Sequence, residues 1–205
     1  MDTSYFWDFW IMGFKDYKSK KVIHYKIVNT ENNTDYKNWV KELQEQWWII
    51  KAIVCDWRRW LLTWFSDIPT QMCNFHQVAI IKRYITKKPK LEANKALKWI
   101  SELLVDTDKE TFSYYPELFW IVYEDFLNER ALWKNWKLHY VHKRTRSAYK
   151  SLKNNLYLKV YISIKYLFTW YDYLWKVDIQ NTTNWLEWLF WHIKAKISLH
   201  RGLKK

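Results

Sequence analysis

The chain has 2 glycines in 205 residues, where ordinary usage of roughly 7% would give about 14. Glycine supplies the positive-φ conformations of tight turns and helix ends, so this scarcity should leave turns strained. The shortage has a counterpart in 17 tryptophans, where a few are usual. Selection for tryptophan would not remove glycine one for one, whereas a codon translated as Trp but read in the cell as Gly would do so. We therefore expect most of the Trp residues to mark glycine positions, and UGG codons at Trp57, Trp60, Trp185 and Trp188 would refute this. The alternative is a chain rich in genuine, interface-seeking tryptophan.

Other absences narrow the function classes. Cys55 and Cys73 are the two cysteines, too few for a disulfide framework or a four-cysteine zinc site. No charge-free apolar run reaches the roughly 18 residues a membrane span needs; "YLKVYISIKYLFTWYDYLW" is broken by Lys159, Lys165 and Asp172. "MDTSYFWDFW" carries an acid where a secretory signal has positive charge, and no small-residue cleavage site follows, so a cytoplasmic protein is expected. Acids are scarce, 21 against 34 Lys plus Arg, for a net charge of +13. That excess calls for a polyanionic partner, nucleic acid or an anionic membrane surface. The Trp, Tyr and Lys content suits a lipid interface, but that reading leaves the missing glycine unexplained.

The element pattern reads as α/β. Residues 1–30 cluster β-branched and aromatic residues around the polar turn "KDYKSKK", which predicts two or three antiparallel strands. "NTENNTDYKNWVKELQEQ" then places Tyr36, Trp39, Val40 and Leu43 at helical spacing. "WIIKAIVCD" reads as a buried strand ending at Asp56, followed by a helical stretch at about 58–66 and a further short strand in "TQMCNFHQ". Helical periodicity dominates from Val78 to about Tyr173. The tail "IQNTTNWLEWLFWHIKAKISLHRGLKK" opens on capping residues and continues as a helix towards Gly202. The order predicts a mixed sheet compatible with a ribonuclease H-like topology.

Three carboxylates stand where such a fold places chemistry. Asp56 closes a central strand, Asp2 lies in the first strand, and Glu187 sits in the first turn of the last helix. Converging, they would hold two Mg²⁺ ions, hard cations that take oxygen ligands and activate a water or a 3′-hydroxyl against a phosphodiester. Each also has an ordinary reading: Asp2 as a frayed terminal acid, Asp56 as a turn or helix cap, Glu187 as the partner of Asn184 in a capping box.

The blocks "MDTSYFWDFWIMGF", "IKAIVCDWRRWL", "DIPTQMCNFHQVAIIKRYITKKPKLEANKAL", "HKRTRSAYKSL" and "NTTNWLEWLFWHIKAKISLHRGL" together resemble the catalytic region of bacterial DDE transposases related to the mutator-type insertion-sequence family. The resemblance runs from residue 2 to about 203, with the blocks in family order. It implies a catalytic and metal-binding triad of Asp2, Asp56 and Glu187, Mg²⁺ or Mn²⁺ as cofactor, and DNA, both transposon ends and target, as partner. It further implies no membrane association and a homo-oligomer when active. Relatives have glycine where this chain has Trp7, Trp57, Trp60 and Trp188, whereas tryptophan is usual at Trp48.

A C-x2-H element also follows from the resemblance, here Cys73 and His76, which with Asn184 would support the active site. Read from the residues alone, the pair could be zinc ligands lacking two partners, a His that contacts DNA or orders the carboxylates, or a structural His. "HYVHKRTRSAYKSLKNN" clusters His142, Lys143, Arg144, Arg146, Lys150 and Lys153 with interleaved tyrosines, a DNA-gripping helix or an ordinary solvated face. Lys194, Lys196 and Arg201 extend the basic surface along the tail.

The resemblance divides the chain into a ribonuclease H-like core, residues 1–80 and 176–205, and a mainly helical insertion, residues 81–175. Relatives carry a DNA-recognising region ahead of the first aspartate, so a truncated chain is expected, either an active catalytic region or a DNA-binding remnant. If the tryptophans are real, indoles at Trp57, Trp185 and Trp188 should crowd the metal site.

Overall fold

A computed structural model describes residues 1–56, 62, 64–65, 67–132, 136–156 and 166–199. The chain is a mixed α/β protein. It opens with β1 (Asp2–Phe6), β2 (Phe9–Lys15) and β3 (Val22–Val28), an antiparallel meander. Helix α1 (Asn33–Glu45) crosses to a parallel pair, β4 (Ile53–Cys55) and β5 (Thr70–Met72). Then come α2 (Asn74–Ile85), α3 (Glu92–Leu103), α4 (Lys109–Asn128), the hairpin β6 (Arg130–Leu132) and β7 (Leu138–Tyr140), α5 (Lys143–Leu156), the short α6 (Thr169–Asp172) and α7 (Asn184–Leu199). Among the described residues no helix is long and apolar enough to cross a membrane.

The meander is covered on both faces at its central strand, β2, and its register decides what each face meets. Side chains alternate along a strand, so Met12 and Phe14 on β2 point to one side. There they join Trp39, Val40 and Leu43 of α1 in the main core, with Phe14 and Trp39 ring centroids 5.6 Å apart. Ile11 and Gly13 belong to the other face, where Phe6, Leu186 and Phe190 form a second cluster under α7. Asp2 pairs with Gly13, Ser4 with Ile11 and Phe6 with Phe9, and paired residues share a face. Asp2 is thereby assigned to the side covered by α7, while Thr3, opposite Met12, faces α1 and hydrogen-bonds the Tyr36 hydroxyl.

The two sheets are brought together at β1 and β4, where Met1 N donates to Val54 O at 2.7 Å. Behind them a buried polar knot ties β5 to later segments. Gln71 Nε2 donates to Leu167 O and Asn74 Oδ1, and Gln71 Oε1 accepts from Trp170 N at 3.0 Å. Asn74 in turn donates to Leu104 O and receives the chain through its N–H to Asn181 O.

One sequence expectation needs adjustment. "TQMCNFHQ" is not one strand: β5 stops at Met72, Cys73 is the N-cap of α2, and His76 lies in that helix's first turn. The boundary drawn at residue 80 falls inside α2, and one continuous hydrophobic cluster runs from Met1 through α3, α4 and α5 to Phe168. The helical block therefore shares its core with the strands. The helix expected at about 58–66 and the tail beyond 199 lie largely outside the described residues.

Candidate metal centre

Four elements deliver the candidate side chains. Asp2 comes from β1, Asp56 from the residue after β4, His76 from the first turn of α2, and Glu187 from the first turn of α7. What lets α7 approach is Gly13. A Cβ there would lie 3.2 Å from Phe190 Cζ and 3.4 Å from Leu186 Cδ2, so a side chain at this position would press on the two residues that pack α7 against the strand. Because Glu187 follows Leu186 on the helix, the same close approach carries its carboxylate over Asp2.

The three acids converge on one imidazole. His76 Nε2 lies 3.1 Å from Glu187 Oε1 and 3.7 Å from Asp56 Oδ2. Ligand atoms of Asp2, His76 and Glu187 all lie within 4.8 Å of one another. Asp56 and Glu187 thus sit within about 7 Å of each other, close enough to share a two-metal site whose ions are about 3.5–4 Å apart.

The electrostatics follow from burial. Asp2 is 6% exposed, and desolvation pushes its carboxyl up to about 6, against the pull of His76 and of the Thr3 N–H that donates to Oδ1 at 2.8 Å. Burial raises Glu187 as well, opposed by His76. For His76, burial alone lowers the ring, but the Cys73 side chain and the charges of Asp56 and Asp2 outweigh it, and the imidazole is pushed up to about 9. The Cys73 sulfur favours the charged ring without reaching aligned hydrogen-bond geometry, and Nδ1 is left buried without a partner. Glu187 Oε1, although charge-paired with His76, also makes no aligned hydrogen bond. A buried acid held above its ordinary range and an oxygen with spare lone pairs fit a bound cation, which would satisfy both.

The remaining candidates divide. The Cys73 sulfur, beside the His76 ring, also accepts from Thr183 N at 3.2 Å and from the Thr183 hydroxyl at 3.3 Å. The zinc reading of Cys73 with His76 gains nothing from this. Burial pushes the Cys55 thiol up to about 12. Asn184 is exposed at the first position of α7, and the Thr183 carbonyl ahead of it accepts from Leu186 N at 2.9 Å. Ring contacts of Trp185 and Trp188 run to Lys15, 4.2 Å, and His192, 3.9 Å. Trp57 lies outside the described residues.

On the basic face, Lys143, Arg144, Lys150 and Lys153 are exposed on α5. Arg146 and His142 are engaged internally. Arg146 donates to Leu127 O and Asn128 Oδ1 and covers the Tyr140 ring, while His142 stacks on Phe126 and meets Glu129 at 3.0 Å. Lys194 lies over the Phe6 ring, 5.1 Å away, and Lys196 is exposed. Arg201 lies outside the described residues.

Sequence reasoning missed Thr183 and Gly13. Thr183 was hidden among four residues, "NTTN", that can all cap a helix. Gly13 carried a signal, since in a chain with 2 glycines each survivor marks a place where a side chain is least tolerated. Comparison with protein-family models, with curated proteins and with solved structures finds no match.

Proposed function

We propose that the chain is the catalytic region of a DDE-type transposase with a ribonuclease H-like core, cutting and joining DNA phosphodiesters at transposon ends. The observation that carries this reading is that Asp2, Asp56 and Glu187, from two strand segments and a helix, all lie beside the His76 imidazole. The element order supports it too: a three-stranded meander, a helical crossover, and a parallel pair set beside β1 by the Met1–Val54 bond. Asp2, Asp56 and Glu187 would hold Mg²⁺ or Mn²⁺, whose chemistry is to activate the attacking hydroxyl and stabilise the leaving oxygen. The exposed cations of α5, Lys143, Arg144, Lys150 and Lys153, would neutralise successive phosphates.

The test is nicking of supercoiled DNA with Mg²⁺ or Mn²⁺, beside DNA binding followed by fluorescence anisotropy. Wild-type protein should nick, and Glu187→Gln and Asp56→Asn should lower nicking at least 100-fold while DNA affinity stays within about twofold. Nicking retained by both variants overturns the triad. Wild-type protein that binds DNA and leaves it intact with either ion is instead the DNA-binding remnant.

A further inference from the structure

We infer that Asp2, His76 and Glu187 form a mixed nitrogen–oxygen cation site, with His76 Nε2 as a direct ligand, that takes a borderline transition ion, Mn²⁺ or Zn²⁺, in preference to Mg²⁺. The inference rests on the metal-binding reading of Asp2 and Glu187 above and adds the imidazole and the ion preference.

The geometry is that of a site needing little closure. Bonds of about 2.1 Å from a cation to nitrogen and carboxylate oxygen place neighbouring ligand atoms about 3 Å apart and opposite ones about 4.2 Å apart. The Glu187 Oε1–His76 Nε2 separation of 3.1 Å fits the neighbouring arrangement. The full set, within 4.8 Å, exceeds the spacing of opposite ligands by at most about 0.6 Å.

Each ligand is also fixed by its backbone. Asp2 is locked by strand pairing opposite Gly13 and by the Thr3 N–H on Oδ1. His76 rides the first turn of α2, behind a cap residue, Cys73, anchored to β4 through its N–H to Cys55 O at 2.8 Å and to Thr183 through its sulfur. Thr183 immediately precedes α7, so the segment that starts the Glu187 helix is tied to the segment that starts the His76 helix.

The donor set then decides the ion. Mg²⁺ demands near-ideal octahedral oxygen coordination, while imidazole favours transition ions. Asp56 Oδ2, 3.7 Å from His76 Nε2, stands beside this set.

Mn²⁺ titration of the whole chain, followed by electron paramagnetic resonance, tests the inference, with pulsed measurements reading ¹⁴N coupling to the bound ion and Mg²⁺ added as competitor. The expected result is one imidazole nitrogen coupled to Mn²⁺ and affinity for Mn²⁺ at least about 10-fold above that for Mg²⁺. His76→Gln should erase the nitrogen coupling and weaken Mn²⁺ about 10- to 100-fold, with Mg²⁺ affinity changed by less than about threefold. Bound Mn²⁺ without nitrogen coupling overturns the inference and leaves the carboxylate metal site standing. Absence of any Mn²⁺ binding by folded wild-type protein, with folding checked by circular dichroism, overturns both. Should His76→Gln fail to fold, the coupling in wild-type protein decides alone.

Discussion

Trp47 occupies the position after the C-cap of α1 with φ 68°, and it is 93% exposed. Around it Trp48 N donates to Leu43 O and Trp47 N to Gln44 O, the paired bonds of a Schellman ending, whose left-handed residue is usually glycine. Trp7, φ 48°, opens the two-residue loop between β1 and β2, where hairpin turns also call for positive φ. With Trp136, three of the five positive-φ residues other than glycine among the described residues are tryptophan. Trp39 behaves differently, 1% exposed and packed against Phe14 and His24. A left-handed L-residue costs roughly 1–2 kcal/mol, so Trp47→Gly and Trp7→Gly should each stabilise the fold by about 1 kcal/mol. In a domain of this size that raises Tm by about 2–4 °C. Trp39→Ala should instead cost about 3–5 kcal/mol. Thermal unfolding of the three variants checks this, and a Trp47→Gly protein less stable than wild type would remove the backbone argument for displaced glycine.

Between elements, the β2–α7 contact at Gly13 sets the height of Glu187 over Asp2. Gly13→Ala places a methyl 3.2 Å from Phe190 Cζ, so the Phe190 ring, and with it the seat of α7, must give by a few tenths of an ångström. Overpacking of this kind costs about 1–3 kcal/mol. The variant should show a lowered Tm together with Mn²⁺ affinity reduced several-fold, and the double variant Gly13→Ala, Phe190→Leu should recover part of both losses. Additive losses in that cycle would mean that the two residues do not share the contact. Asp2 and Glu187 were legible in the sequence because strand alternation and helix caps are local signals. The start of α2 was not, since Cys73 is no N-cap type and makes no side-chain capping bond, so the apolar run through Met72 reads on as strand. The distinction between Lys143, exposed, and Arg146, bonded to the end of α4, was equally hidden. It depends on a helix about twenty residues away in the chain, which no local pattern reports.

For the molecule as a whole, the acids gathered around His76 make stability depend on pH, with a sign that a cation should reverse. Asp2 titrates at about 6 in the fold against 3.8 ordinarily, so the folded state holds a proton that the unfolded chain has released. Its contribution is complete below about 3.8 and is lost as pH rises through 6. His76, at about 9 against 6.5, contributes in full below 6.5 and loses that contribution as pH rises through 9. In both windows the native state binds the extra proton, and stability falls with rising pH. The His76 window is worth on the order of 2–3 kcal/mol, given 1.36 kcal/mol per unit and a side chain still 21% exposed. In chelator, Tm should therefore drop steadily from pH 6.5 to 9, and His76→Gln should remove the His76 part of that limb, while the Asp2 limb that begins near pH 4 persists and, without the opposing imidazole, extends above pH 6. With saturating Mn²⁺ the ion replaces the protons as counter-charge, competition with them weakens as pH rises, and the Tm drop above pH 6.5 should shrink or invert. A chelated protein whose Tm is level from pH 6.5 to 9 would show that His76 does not hold its extra proton in the fold.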